Sequence, residues 1–304
     1  MKGSAHLLIG FFLTITLLSF SPGNGYQRGK VDLNKVTWIH GAADCKQSTD
    51  PAIQVVQYNS NTWILRESKC VNYEGPFMFL FMGSHKALLM DAGATFDEKK
   101  FPLRNTVDSL VRAWEKAGNA QLELVVAHTH SHGDHTAGDG QFKGKPNTTV
   151  VGLTVDDVKA FFNLENWPLQ NGSFDLGNRV LDIIPIPGHH KTSIAVYDRE
   201  THILLSGDSF YPGRLYIGDW QAFKVSTQRL TDFAVHHKLS YVLGNHIEMT
   251  NARGKDYPTG TTFQPDEHIL PLTVKDLELL NETLKGMDKP DRKILNDFII
   301  YPVN

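Results

Sequence analysis

Between residues 127 and 138 the chain reads AHTHSHGDHTAG, and four histidines and one aspartate fall within the span His128 to His135. No other stretch limits the fold as strongly, because so many imidazoles need either a shared ligand or several separate partners. The segment follows ELVVA (123–127), an apolar run that reads as a buried strand. In extended chain, residues two apart face the same way, so His130 and His132 can address one ion. Asp134 and His135 then open a helical turn and can address a neighbouring ion. Imidazole and carboxylate together suit Zn²⁺, Fe or Mn.

Four ligands do not complete a two-metal site, and the missing ones have to come from elsewhere in the chain. Each candidate follows a short apolar run: Asp91 after KALLM, His189 after RVLDIIPIPG, Asp208 after HILLSG and His246 after YVLGN. Segments with helical spacing lie between and after these runs, at 108–118, 154–163, 226–237 and 272–287. Strands with interspersed helices predict an α/β layered protein whose strand ends share one edge.

The ordered set Asp91, His130-x-His132-x-Asp134-His135, His189, Asp208 and His246 resembles the metallo-β-lactamase superfamily, over roughly residues 53 to 250. The resemblance implies an αββα sandwich in a single domain. It also implies a first metal on His130, His132 and His189, and a second on Asp134, His135 and His246. Asp208 bridges the two, and Asp91 orients a ligand histidine from behind. The implied cofactors are two Zn²⁺ ions per chain, with Fe or Mn also compatible. The implied activity is hydrolysis of an ester, thioester, lactone or amide carbonyl by a metal-bridging hydroxide, with Asp134 as the catalytic proton acceptor. A bridging aspartate is similar to hydroxyacylglutathione hydrolases and lactonases, whereas the antibiotic-degrading members usually place cysteine or serine there. A β-lactam-hydrolysing enzyme and an iron-dependent oxidoreductase on the same fold are the alternatives. The family's PGHTxGS is PGHHKTS here, so His190 and Lys191 are candidate substrate contacts.

The expected substrate is a small molecule. A net charge of −3 argues against a nucleic-acid binder, which would usually show a basic face. Aromatic residues after Asp208, namely Phe210, Tyr211, Tyr216, Trp220 and Phe223, are expected to rim an apolar pocket together with loop 254–271. Tyr211, Tyr216 and Trp220 are the candidate substrate residues, with Lys191 and Arg214 as carboxylate partners.

Residues 1–25 have the layout of a secretory signal peptide: a lysine, a largely apolar run from Leu7 to Phe20, and a small-x-small site before Tyr26. The run is shorter than the ~20 residues a spanning helix needs. The expected mature domain is 26–304, exported to a periplasmic or extracellular space with no stable membrane anchor. A retained anchor is the alternative. In an oxidising compartment the two cysteines, Cys45 and Cys70, can pair, and spacing alone leaves pairing or two separate thiols open.

Overall fold

The computed structural model describes residues 30–303, so the signal-peptide reading of residues 1–25 lies outside the described residues. A first sheet holds β1 (Ile53–Asn59), β2 (Thr62–Glu67), β3 (Phe77–Met82), β4 (Lys86–Met90), β5 (Glu123–Ala127) and β6 (Thr148–Val150), paired in chain order. Its first four strands are antiparallel, and β4, β5 and β6 run parallel. Between them lie α1 (Leu103–Lys116) and the single-turn α2 (Gly133–Thr136), and α3 (Val155–Phe162) follows.

The second sheet is built from β7 (Gly172–Asp175), β8 (Val180–Pro185), β9 (Ile194–Asp198) and β10 (Ile203–Gly207). After β11 (Arg214–Ile217) and α4 (Trp220–His236), the chain returns to it as β12 (Tyr241–Gly244) and β13 (Pro271–Leu272), giving the order β13-β12-β10-β9-β8-β7. The last elements are α5 (Val274–Lys285), β14 (Lys293–Ile294) and β15 (Ile299–Pro302). A third, small sheet has the order β11-β15-β14.

The alternation within single strands shows how the layers stack. On β3, Phe77, Phe79 and Phe81 join Leu181, Ile183, Val196 and Leu205 in a core between the two large sheets. Met78, Leu80 and Met82 face the other way and meet Leu103, Val107 and Val111 of α1. On the far side, Ile184, Ala195 and Leu204 meet Phe223 and Leu230 of α4 and Leu277, Leu280 and Leu284 of α5. Strands covered on both faces explain the near-continuous apolar runs in the sequence. The result is an αββα sandwich.

Two elements start earlier than the sequence suggested. Helix α1 begins at Leu103 rather than near residue 108. Helix α4 begins at Trp220 rather than Ser226, because the Asp219 side chain caps it by accepting the Ala222 N–H. Cys45 and Cys70 are joined, with Cα atoms 5.1 Å apart, which ties the N-terminal segment to the β2–β3 loop. No helix among the described residues is long and apolar enough to cross a membrane.

Candidate metal centre

Every candidate ligand leaves the end of a strand or the loop after it. Strand β5 runs out through His128 and Thr129 to His130. Extended backbone at His132 (φ −72°, ψ 156°) then turns into α2, which carries Asp134 and His135. His189 follows Gly188, whose φ is +150° and where a Cβ would lie 2.4 Å from the Phe223 backbone. Gly207 precedes Asp208 with φ +55°, and a Cβ there would come 2.9 Å from Thr129. Only glycine fits either place, so these two turns are fixed by packing against neighbouring elements. His246 follows β12 and Asn245.

These ends converge as two clusters, His130–His132–His189 and Asp134–His135–Asp208–His246. In the first, His130 Nε2 lies 3.0 Å from His132 Nδ1 and 3.2 Å from His189 Nε2, and the last two nitrogens are 3.1 Å apart. Three nitrogens in a triangle cannot all be paired as donor with acceptor, so at least one side joins two like groups. A cation at their common apex removes that conflict. Tetrahedral zinc with nitrogens at ~2.05 Å needs N···N spacings of about 3.3 Å, close to those present. His189 donates Nδ1–H to the Tyr216 carbonyl at 2.7 Å, which leaves the Nε2 lone pair of the neutral ring facing inward.

In the second cluster, Asp134 Oδ2 is 3.3 Å from both His135 Nε2 and His246 Nε2. Asp208 Oδ2 is 3.5 Å from each of those nitrogens and 3.9 Å from His189 Nε2 of the first cluster. One carboxylate oxygen therefore stands between the two sets. His246 donates Nδ1–H to the Glu74 carbonyl at 3.2 Å, which directs its Nε2 inward. The Asp208 Oδ1 and His135 Nδ1 atoms are buried without partners. The orphaned Asp208 acceptor and the crowded nitrogens are what a metal-binding donor set looks like, and the residues fit the expected ions.

Electrostatics divide the clusters the same way. Burial, then His135, His189 and His132, hold His130 well below the usual imidazole range, so it stays neutral. At His246 burial opposes the charge, but Asp208 and Asp134 outweigh it and push the pKa up to about 9. Burial raises Asp208, and His246 and His135 outweigh it and bring it to about 2. Asp134 and Asp208 thus attract a positive charge where a proton or a cation can sit.

Asp91 sits behind both clusters in left-handed backbone, φ +70°. Its Oδ1 accepts Thr129 N–H at 2.8 Å and Thr129 Oγ1 at 3.2 Å, and its Oδ2 accepts Asn245 Nδ2 at 2.7 Å. Thr129 precedes His130 and Asn245 precedes His246, so one buried carboxylate positions two arms of the site. Its approach to His135 Nδ1, 3.6 Å, is too long for a hydrogen bond.

A cleft of about 190 Å³ opens over the clusters, lined by Glu74, His132, Asp134, His189, Asp208, Tyr211, Tyr216, His246 and Glu248. Tyr211 and Tyr216 are there as the sequence suggested, but the rest of the expected apolar wall is not. Trp220 and Phe223 pack in the core beneath the second sheet because helix α4 already starts at Trp220, and Phe210, ahead of β11, packs in the same core. His190 lies outside the cleft. Its ring is 4.7 Å from that of His132, and Nδ1 pairs with Thr192 Oγ1 at 2.8 Å. Lys191 is exposed and also absent from the lining. Arg214 is not free for a carboxylate, since Glu248 (2.7 Å) and Asp256 (2.6 Å) already hold it. Loop 254–271 lines a small adjoining cavity, through Pro258, Thr259, Gly260, Thr261 and Gln264, and gives no residue to the lining of the cleft. Glu74 and Glu248 escaped the sequence reading. For Glu248 a signal existed: it lies two residues after His246, where extended chain faces the same side.

An αββα sandwich with histidine and aspartate clusters at one sheet edge defines a class of protein, the layered α/β proteins with a candidate metal centre at such an edge. The sequence profile of the metallo-β-lactamase superfamily matches residues 75–238, more than half of the 304-residue chain, and the chain belongs to that superfamily. Among curated proteins it is 29% identical over 212 residues to the acyl-coenzyme A thioesterase MBLAC2 of Gallus gallus, covering 58% of this chain and 73% of that one. It is 25% identical over 138 residues to the hydroxyacylglutathione hydrolase of Rhizobium meliloti, covering 43% of this chain and only 53% of the relative. Among solved structures, the DIM-1 metallo-β-lactamase exposed to ceftazidime aligns over 78% of this chain and 98% of its own, with a TM-score of 0.50 and 15% identity, a likeness of fold.

Proposed function

We propose that this protein is a two-metal hydrolase of small acyl esters, thioesters or lactones. The observation that carries the reading is Asp208 Oδ2, within 3.5 Å of His135 and His246 and 3.9 Å of His189. His130, His132 and His189 would hold one cation and Asp134, His135 and His246 the other, with Asp208 shared. When bound, such cations polarise a carbonyl and bring the pKa of a coordinated water towards neutrality. The nitrogen-rich first cluster favours zinc, and the carboxylates leave Fe or Mn compatible.

The side chains of the cleft favour water as the nucleophile, because none of the lining residues is Ser, Thr, Cys or Lys. Asp134 is the more exposed carboxylate ligand, 25% against 9% for Asp208. Its other oxygen would take the proton from an attacking water. Tyr216 and Glu74 hold the rings of His189 and His246 through their backbone carbonyls, so the ligands are oriented before substrate arrives. The names of the thioesterase and hydroxyacylglutathione hydrolase relatives support thioesters within the substrate class. Export is part of the same proposal. The pattern of residues 1–25 and the Cys45–Cys70 bond, a feature of oxidising compartments, support it.

The test is a panel of chromogenic ester, thioester, lactone and cephalosporin substrates, assayed before and after chelation. Turnover of at least one acyl substrate, lost on chelation and restored by zinc, is expected. A metal-replete protein that hydrolyses none of them contradicts the proposal.

A further inference from the structure

We infer that Lys69 is a positioning residue for the second donor cluster: its buried ammonium fixes the Glu74 carbonyl on which the His246 ring is oriented. The inference rests on the two-cation reading above and concerns a residue which that reading does not use.

Four Lys or Arg side chains are buried among the described residues: Arg66, Lys69, Arg179 and Arg214. Each arginine meets a carboxylate, Arg66 with Glu267 at 2.5 Å, Arg179 with Asp198 at 2.6 Å and Arg214 with Glu248 at 2.7 Å. Lys69 is 3% exposed and makes no ion pair among the described residues. Taking a charge out of water without an opposite charge beside it is unfavourable. Burial, with Arg66 adding to it, pulls the ammonium down to about 8. An apolar side chain would fill the space without that penalty. What the ammonium adds is a pair of hydrogen bonds: Nζ donates to the Tyr73 carbonyl at 2.9 Å and to the Glu74 carbonyl at 3.4 Å.

The surroundings are shaped to the lysine stem. Gly75 has φ +51°, and a Cβ there would lie 2.7 Å from Lys69 Cγ. Gly41 comes from the N-terminal segment, and its Cβ would lie 3.0 Å from Lys69 Cβ. The next residue, Cys70, is tied to Cys45. The stem is thus held at its base and along its length.

The Glu74 carbonyl accepts a second donor, His246 Nδ1–H, at 3.2 Å. Behind it, the Glu74 N–H donates to Asn72 Oδ1 at 3.1 Å. A peptide group held from both sides offers the imidazole one direction. That direction leaves His246 Nε2 3.3 Å from Asp134 and 3.5 Å from Asp208. His189 takes its orientation from the Tyr216 carbonyl instead, so the first cluster does not depend on Lys69.

The two roles open to this ammonium have opposite signs. As a charge alone it repels a cation at the second cluster, and removing it would tighten that ion. As a positioning residue it supports the ion, and removing it loosens that ion.

Zinc titration against a chromogenic chelator, on wild type, Lys69→Met and His246→Ala, decides between them. Lys69→Met keeps an apolar stem and loses the ammonium. One of its two zinc affinities is expected to fall roughly 10- to 100-fold while the other stays within about twofold of wild type. With a single equivalent of Co²⁺, its visible spectrum should match that of His246→Ala, since both then fill only the first cluster. Excess zinc should restore turnover in Lys69→Met. Unchanged or tighter binding of both ions, or an equal loss of both, overturns the inference and leaves the two-cation reading intact. A wild type that binds a single ion refutes that reading and the inference with it. Should Lys69→Met not fold, Lys69→Gln, a shorter neutral donor, is titrated in its place and must show the same selective loss. If neither variant folds, the lysine serves the fold and the inference is overturned.

Discussion

Asp91→Asn isolates what a single buried carboxylate does for the site. The residue sits at φ +70°, a conformation asparagine tolerates nearly as well as aspartate, so the backbone is left alone. The side chain is fully buried, and both its oxygens accept: Oδ1 from Thr129 N–H and Oγ1, Oδ2 from Asn245. An amide keeps one oxygen. With that oxygen on Thr129, its NH₂ faces the Asn245 NH₂, donor against donor. Asn245 cannot turn over to help, because its Nδ2 also donates to the Phe77 carbonyl at 2.6 Å. One charge-assisted bond is lost and one buried donor is orphaned. Each is worth about 1–3 kcal/mol, and since they overlap the sum is about 2–4 kcal/mol. For a chain of this size that is a fall in Tm of roughly 3–7 °C. His130 and His246 follow the two residues released, so metal affinity should also fall by roughly 10- to 100-fold. Thermal melts of metal-free protein and a competition titration with a chromogenic chelator measure the two effects separately. A melt within about 1 °C of wild type and an unchanged affinity would refute the argument that Asp91 positions both arms.

Glu67 supplies a pH test on a buried carboxyl that is not itself a ligand, although Asp134 and His246 lie close enough to act on it. Burial raises its carboxyl from 4.5 to about 7, Oε2 accepts the Ala94 N–H at 2.7 Å, and Oε1 has no partner. Between those pH values the folded chain keeps a proton that the unfolded chain has released. Its contribution is therefore fully present below pH 4.5 and is lost as pH rises through about 7. Glu67→Gln keeps the Ala94 bond without the charge, so its stability relative to wild type should climb by roughly 2–3 kcal/mol between pH 5 and pH 8 in urea melts. A pH-independent difference counts against this. Trp220→Ala should cost about 3 kcal/mol through lost packing and leave KM unchanged, since the indole lies in the core. A raised KM at unaltered stability would return Trp220 to the substrate wall.

The ligand set was legible because its chemistry and its location coincide. Histidines and aspartates after apolar runs are visible in a sequence, and strand ends in a layered α/β fold meet at one edge. The pocket wall was not legible, for reasons that differ by residue. Trp220 looked like a loop aromatic because a capping aspartate one residue earlier starts the helix there. Arg214 looked like an available cation because its partners Glu248 and Asp256 lie 34 and 42 residues further on. Glu74 belongs to the β2–β3 loop, far in sequence from every ligand, and only the folded chain brings its carbonyl to His246. The cysteine spacing was compatible with a bond or with none, and the Cα separation decides such a question.

The central claim, two cations shared by Asp208, is tested most directly by elemental analysis of the metal-replete protein and of Asp208→Ala, with turnover measured on the same samples. The account predicts close to two ions per chain in the wild type, matching the two donor clusters. In the variant it predicts the loss of at least one ion and a fall in kcat of about 10²-fold or more, since a misplacement of ~1 Å is enough for that. A wild type that never binds more than one ion, or an Asp208→Ala protein that keeps both ions and full turnover, would contradict it.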